Sequence, residues 1–389
     1  MDKKIVIALG IVVYLLSAFA SFQYFSANGV NLSGYEAPVY DEEGNVVDSG
    51  PKTEACPLNG QLYSKTARSR WEKRRPLGIM VQNNIEARPQ SGLSSADIIH
   101  EAVAEGGITR FLAMYYCQEP EIVGSVRSAR IYFIKLLQAY GTNPLYGHVG
   151  GANTPGPADA LGEIQDLDWY AYNDMDQFAV PFPNYWRDYD RLPGRATEHT
   201  VYTNTQLLWE YAAENRGLTN VDEAGDSWDA NFKPWKFAKD AKEGERGNIT
   251  KINYRFWDGG LGDDYTVQWN YDSVTNSYLR INGGEPHIDK NTDQQLSSKN
   301  VIVVLADESV ADDGYEGGQH MLYEVIGSGD AYIFQNGQAY EGEWQKDDEE
   351  SMMRFYNEDG EEIEMVNGQI WISILPTGNE VEYGSGSSQ

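Results

Sequence analysis

Residues 98–116 read IIHEAVAEGGITRFLAMYY. Two apolar-rich runs flank Gly106-Gly107. A two-residue turn between paired strands needs positive φ at both positions, which glycine adopts freely. A helix starting at Ser94 or Ser95 and stopped by the glycines is the competing reading. The second run is rich in Ile, Thr, Phe and Tyr, which favours a hairpin. If Glu105 and Ile108 close the turn in regular register, Val103 faces Arg110 and Glu101 faces Leu112. Glu101, Glu105 and Arg110 then share one face. His100, Ala102, Ala104, Thr109 and Phe111 share the other. The first face is either an ion-paired surface that fixes Arg110 or a ligand site that uses it. An exposed ion pair stabilises little, so the pairing alone does not choose.

Working outward, Leu77–Gln82 reads as a short strand after Pro76, ending in Asn83-Asn84. Downstream, VRSAR (126–130) precedes Ile131, Ile134, Leu137 and Tyr140 at helical spacing, with Gly141 behind them. Ser128 reads as the N-cap. That places Arg127, Ser128 and Arg130 at a helix start, where free N–H groups favour anions. Basic side chains oppose the helix dipole there. They imply a bound anion or a carboxylate partner such as Glu101 or Glu105. Pro144–Val149 reads as another strand, and His148 precedes Gly150-Gly151, where backbone can approach closely.

RRPLGIMVQNN (74–84), ARPQSGLSSADIIHEAVAEGGITRFLA (87–113), VRSAR and HVGGA (148–152) resemble the YerB-like lipoprotein family. The likeness covers most of the chain after Cys56. That family carries a two-part domain of unknown function. The resemblance implies an extracytoplasmic, membrane-attached protein and no assigned activity. Where relatives have Pro-His-Asn, this chain has Glu198-His199-Thr200, so His199 matches. Unlike lipoprotein members, the chain has no cysteine close behind its N-terminal apolar run.

The 389 residues carry a formal charge of −29. Such acidity argues against nucleic acid as a partner, because a polyphosphate backbone is repelled by it, and it makes local basic clusters deliberate. Residues 1–4 hold Lys3 and Lys4, and the apolar run 5–25 is long enough for one bilayer span. Lysines on the short side predict a signal-anchor with the remainder outside the cell. A cleaved signal peptide ending at Ala18-Phe19-Ala20 is the rival. Residues 26–55 read as a flexible acidic tether. An α/β-like N-terminal domain is expected over 56–230. A mainly antiparallel β domain follows over 231–380, then a tail over 381–389. Together they make an α+β chain. The β texture rests on Val301–Leu305, read as a buried strand. It rests also on Asn336-Gly337, Asp359-Gly360 and Asn367-Gly368, read as the turns of a meander. Residues 169–189 are dense in aromatics, which either stack on sugars or pack the loop.

Cys56 and Cys117 are the only cysteines. Outside the cell they can pair; two free thiols are the alternative. No Walker loop, nucleophile elbow, zinc-protease helix or dinucleotide fingerprint is present, and no metal or cofactor is expected. Arg110, Arg127 and Arg130 are expected to hold an anionic envelope ligand, a glycan or a phosphate-bearing polymer. Asn83, Arg88, Gln90, Thr109, Ser128, Gly150 and Gly151 would line the site. Glu101, Glu105, His148 and His199 would supply acid–base capacity. The alternative is a non-catalytic scaffold that organises a protein complex at the outer face of the membrane. Its arginines and glutamates would then form a closed internal network. Convergence of Arg110, Arg127, Arg130, His148 and His199 on one cleft separates the two.

Overall fold

The computed structural model describes residues 50–315 and 319–385. The apolar run 5–25 lies outside them. Among the described residues no helix is long and apolar enough to cross a membrane.

A mixed sheet of ten strands organises the molecule. In spatial order these are Arg354–Asn357, Gln338–Lys346, Gly327–Gln335, Asn300–Ala306, Ile370–Pro376, Ile98–Glu105, Ile108–Tyr115, Leu77–Gln82, Leu145–His148 and Asp174–Asp176. The sheet is continuous across the two parts of the chain. They meet where Ile370–Pro376 pairs in parallel with Ile98–Glu105. The segment IWISIL (370–375) is buried throughout. A strand covered on both faces and flanked by parallel partners needs such an unbroken apolar run. The meander therefore departs from expectation at its last turn. Asn336-Gly337 closes a hairpin, but Asn367-Gly368 does not. The chain there crosses beside Asn300–Ala306 and pairs with it in parallel.

A smaller sheet contains Lys251–Tyr254, Val267–Asp272, Ser277–Asn282, Glu285–Pro286 and Val381–Gly384. It packs on one face of the large sheet, with Trp269 edge-on to Trp371 at 5.3 Å between centroids. The α-helices among the described residues are Lys65–Trp71, Ile131–Leu137, Ala160–Asp166 and Thr205–Arg216, all in the first part of the chain. Strand predominates over helix throughout.

The central hairpin forms, with φ of 56° at Gly106 and 83° at Gly107. Its register differs from the regular one. Glu105 pairs with Ile108, but Val103 pairs with Thr109, Ala102 with Arg110 and Glu101 with Phe111. Ala104 is an extra residue, a bulge. Because side chains alternate with period two, one inserted residue moves everything before it to the opposite face. Glu101 and Glu105 therefore lie on opposite faces of the sheet.

The helix after VRSAR begins later than expected. Arg130 is its N-cap, with φ −138° and ψ 146° and no side-chain cap bond, and the helix ends at Leu137. Ser128 is not the cap; its carbonyl accepts a bond from Arg110 instead. Arg127 is thus three residues ahead of the N-cap, in extended chain bridged to Leu77–Gln82 through Val126.

Cys56 and Cys117 form a disulfide, with α-carbons 6.0 Å apart. It joins the end of the central hairpin to a small ribbon, Glu54–Ala55 paired with Leu62–Tyr63. Asp97, fully buried beside it, accepts from the backbone N–H of Tyr116 and Cys117 and from Asn59 Nδ2.

Candidate functional site

The expected residues divide between two sites, one on each face of the hairpin. On the inner face, between the sheets, Glu101 and Arg280 are both fully buried and 2.8 Å apart. Glu101 also accepts from Thr109 Oγ1 (2.8 Å) and Trp371 Nε1 (3.0 Å). Arg280 lies against the rings of both Trp269 and Trp371, which touch each other edge-on. Its Nε donates to His287 Nδ1 (3.0 Å), so the proton of that ring sits on Nε2, which donates to Gln90 Oε1 (2.7 Å). Burial first, then the Arg280 charge, hold His287 neutral, well below the usual imidazole range. Asn83 extends the chain to Thr109, Asn282 and Gln90. Arg88 donates to Asn83 and packs on Tyr265. Asn83, Arg88, Gln90, Thr109 and Glu101 thus belong to a network that joins the two parts of the chain.

On the other face, Glu105 stands at the hairpin end with its side chain 46% exposed. Its two oxygens take Arg110 (3.2 Å) and Arg130 (2.9 Å). Arg110 pairs with Ala102 and lies opposite Gln82 on the neighbouring strand. Its Nη1 donates to Ser128 O (3.0 Å). Both arginines are almost wholly buried, yet the Nε of each has no partner. Arg127, half-buried, makes no side-chain hydrogen bond to the described residues. It is near enough to act with Arg110 and Arg130 in holding the Glu105 carboxyl below the usual range, Arg110 most strongly. Burial, then the neighbouring Arg130 charge, depress Arg110 to about 10. Two guanidinium groups share the Glu105 carboxylate and a third lies near it with no bond to the described residues, in a chain that is strongly acidic overall.

His199 borders this cluster. Its Nδ1 donates to Gln82 Oε1 (2.9 Å), because the Gln82 amide nitrogen is turned to Ser125 Oγ and Glu198 O. Burial lowers its pKa, and Arg127 adds to that. The neutral ring therefore presents an Nε2 lone pair with no partner among the described residues. Such a nitrogen can accept a hydrogen bond or a proton from a ligand.

His148 does not join them. It is fully buried, with Nε2 on Asp174 (2.6 Å) and Nδ1 on Gly150 O (2.9 Å). Burial works against its charge, but Asp174 and Asp176 outweigh it and raise its pKa. Both ring nitrogens are taken. Gly150 and Gly151 hold the arginine segment from below: Gly150 O accepts from Ala129 N (2.9 Å), and a Cβ on Gly151 would meet Leu161 at 2.8 Å. Among the described residues, the nearest grouping of metal-ligating types is Cys56, Asp97 and Cys117, and both sulfurs are in the disulfide.

Sequence reasoning missed Gln82, Arg280, His287 and Trp371. Gln82 closes a strand beside the Asn83-Asn84 end, which was a usable signal. Arg280 had none, because its neighbours Leu279 and Ile281 suit the inward position better.

Residues 64–219 match the family model described as "Protein of unknown function (DUF3048) N-terminal domain". Residues 260–372 match its C-terminal domain. The chain is 33% identical over 331 residues to "Putative lipoprotein YerB" of Bacillus subtilis (strain 168), covering 85% of this chain and 89% of that protein. A crystal structure of the YerB protein from Bacillus subtilis superposes with a TM-score of 0.67 at 27% identity, covering 85% of this chain and all of that one. A segment of 111 residues is 28% identical to threonine–tRNA ligase of Corynebacterium glutamicum, covering 15% of that enzyme, too little to bear on activity. The two domain matches, the near full-length relative and the shared fold agree: the chain belongs to the YerB-like family of DUF3048 proteins.

Proposed function

We propose that the chain is an envelope protein whose Arg110–Arg127–Arg130 cluster binds an anionic group. One observation carries this reading. Two almost wholly buried guanidinium groups keep unpartnered Nε atoms, and a third has no bond at all to the described residues. Buried charge without a matching counter-charge is costly to maintain. A phosphate or carboxylate takes two parallel bonds from a guanidinium and would supply both charge and acceptors. Glu105 is the group such a ligand would displace or share. Asn83, Arg88, Gln90, Thr109 and Glu101 are assigned to the joining network and not to the ligand.

The test is calorimetric titration with inorganic phosphate. Arg127→Ala should leave stability within about 0.5 kcal/mol of the parent and weaken binding about tenfold or more. Glu105→Gln should tighten binding, since it removes the competing carboxylate. No phosphate binding by the parent, or a loss of roughly 3 kcal/mol in Arg127→Ala as for a broken buried pair, would end the proposal.

The location is read from three facts together: the relative called a lipoprotein, the apolar run 5–25 and a disulfide suited to an oxidising compartment. The run is read as an uncleaved anchor, since the next cysteine is Cys56, which is paired. Cell fractionation should leave the full chain with the membrane. Recovery of a soluble form starting at Ser21 would overturn the anchor.

A further inference from the structure

We infer that the loop 169–189 forms a sugar-stacking subsite beside the arginine cluster, so that the ligand class is a glycan bearing phosphate. The inference rests on the arginine site proposed above.

The aromatic residues of this loop range from buried to exposed, with Tyr170 and Tyr189 at 63% and 53% and the two phenylalanines the most exposed. Trp169 and Tyr185 are buried, and the Tyr185 hydroxyl donates to Met175 O (2.5 Å). They account for the packing that holds the loop down. Phe178 and Phe182 are 76% and 79% exposed. A phenylalanine ring has no polar atom to gain from water, so neither exposure nor loop packing explains these two.

Their position is specific. The Phe178 ring lies against Gly150, 3.4 Å from where a Cβ would stand. Gly150 O accepts from Ala129 N, and the N–H of Val149 donates to Arg127 O (3.1 Å). On the other flank, Val126 N donates to Val201 O (2.7 Å). Val201 lines a cleft of about 340 Å³ with Phe182, Trp186 and Arg187. The segment that carries Arg127 and Arg130 is therefore bonded through its backbone to Gly150, against which Phe178 lies, and to Val201, which lines the aromatic-walled cleft. A sugar ring offers a flat C–H face to aromatic rings and hydroxyls to polar neighbours. A phosphate on that sugar suits the guanidinium groups carried by this segment. A purely apolar partner would leave the adjacent cations unmatched.

The probes are inorganic phosphate and glucose 1-phosphate, titrated into the parent and into Phe178→Ala/Phe182→Ala. Stacking of one ring predicts a preference of roughly three- to tenfold for the sugar phosphate in the parent. The double variant should lose that preference while its affinity for inorganic phosphate stays within about twofold. Equal affinity for both probes in the parent, or equal weakening of both in the variant, overturns the subsite and leaves the arginine site standing. Failure of both probes to bind the parent overturns the arginine site and this inference together. Both phenylalanines are exposed, so the variant is expected to fold, and unchanged thermal unfolding serves as the control.

Discussion

Replacing Glu101 by Gln should lower the unfolding free energy by about 3–5 kcal/mol, the range for removing one partner of a buried ion pair. The substitution keeps shape and removes charge. Arg280 would remain fully buried against Trp269 and Trp371 with no carboxylate. It cannot lose its proton to escape the cost. The amide nitrogen introduced would also point a donor at Thr109 Oγ1, Trp371 Nε1 or Arg280, each of which now donates to Glu101. The double variant Glu101→Leu/Arg280→Met should recover only part of the loss, although apolar replacement of a buried pair is often neutral. Trp371 Nε1 and His287 Nδ1 would be stranded without partners, at a cost of about 1–3 kcal/mol each. Urea titration measures both, with the slope of the transition checked for constancy. A Glu101→Gln variant within about 1 kcal/mol of the parent would show that the pair contributes little. It would also show that the other contacts between the two parts, the pairing of Ile370–Pro376 with Ile98–Glu105 among them, suffice to join them.

Removing the disulfide should cost about 4 kcal/mol. The bond closes a loop with a sequence separation of 61 residues, and constraining an unfolded chain over such a loop gives this magnitude in the chain-entropy model. The bond also fixes the ribbon Glu54–Ala55/Leu62–Tyr63 to the body of the molecule. In Cys56→Ala/Cys117→Ala, Asp97 should keep its bonds from the N–H groups of residues 116 and 117, since these come from the backbone. The native contacts therefore survive, and the loss falls chiefly on the unfolded side of the equilibrium. The measurement is the denaturation midpoint of the double variant against the oxidised parent. A difference below about 1 kcal/mol would mean that the unfolded chain is already restricted in this region.

The extent to which the sequence could be read follows from the range of each interaction. Gly106-Gly107 announced the hairpin because positive φ is a local demand, met at 56° and 83°. The helix Thr205–Arg216 likewise starts on a local bond, Asn204 Oδ1 accepting from Leu207 N. The Ala104 bulge was not legible. A bulge is chosen by what the two faces must meet, and those partners come from elsewhere in the chain. It carries Glu101 to Thr109, Trp371 and Arg280 on one side. On the other it leaves Glu105 to Arg110 and Arg130. The regular register would have put both carboxylates on one face and left Arg280 unmatched. The Ser128 cap failed likewise, because the VRSAR segment is held by Met80 O and Gly150 O and stays extended until Arg130.

By itself the sequence determined the local punctuation, the two cysteines available for pairing, the strong net acidity, and the presence of Arg110, Arg127 and Arg130 close together along the chain. These depend on neighbours along the chain or on composition. The tertiary structure alone decided which arginines are matched. Arg280 is neutralised by a carboxylate 179 residues away, whereas Arg110 and Arg130 share Glu105 and Arg127 lies near it with no bond to the described residues. Charge balance in a buried site is set by groups brought together from distant parts of the chain, and no spacing rule encodes it.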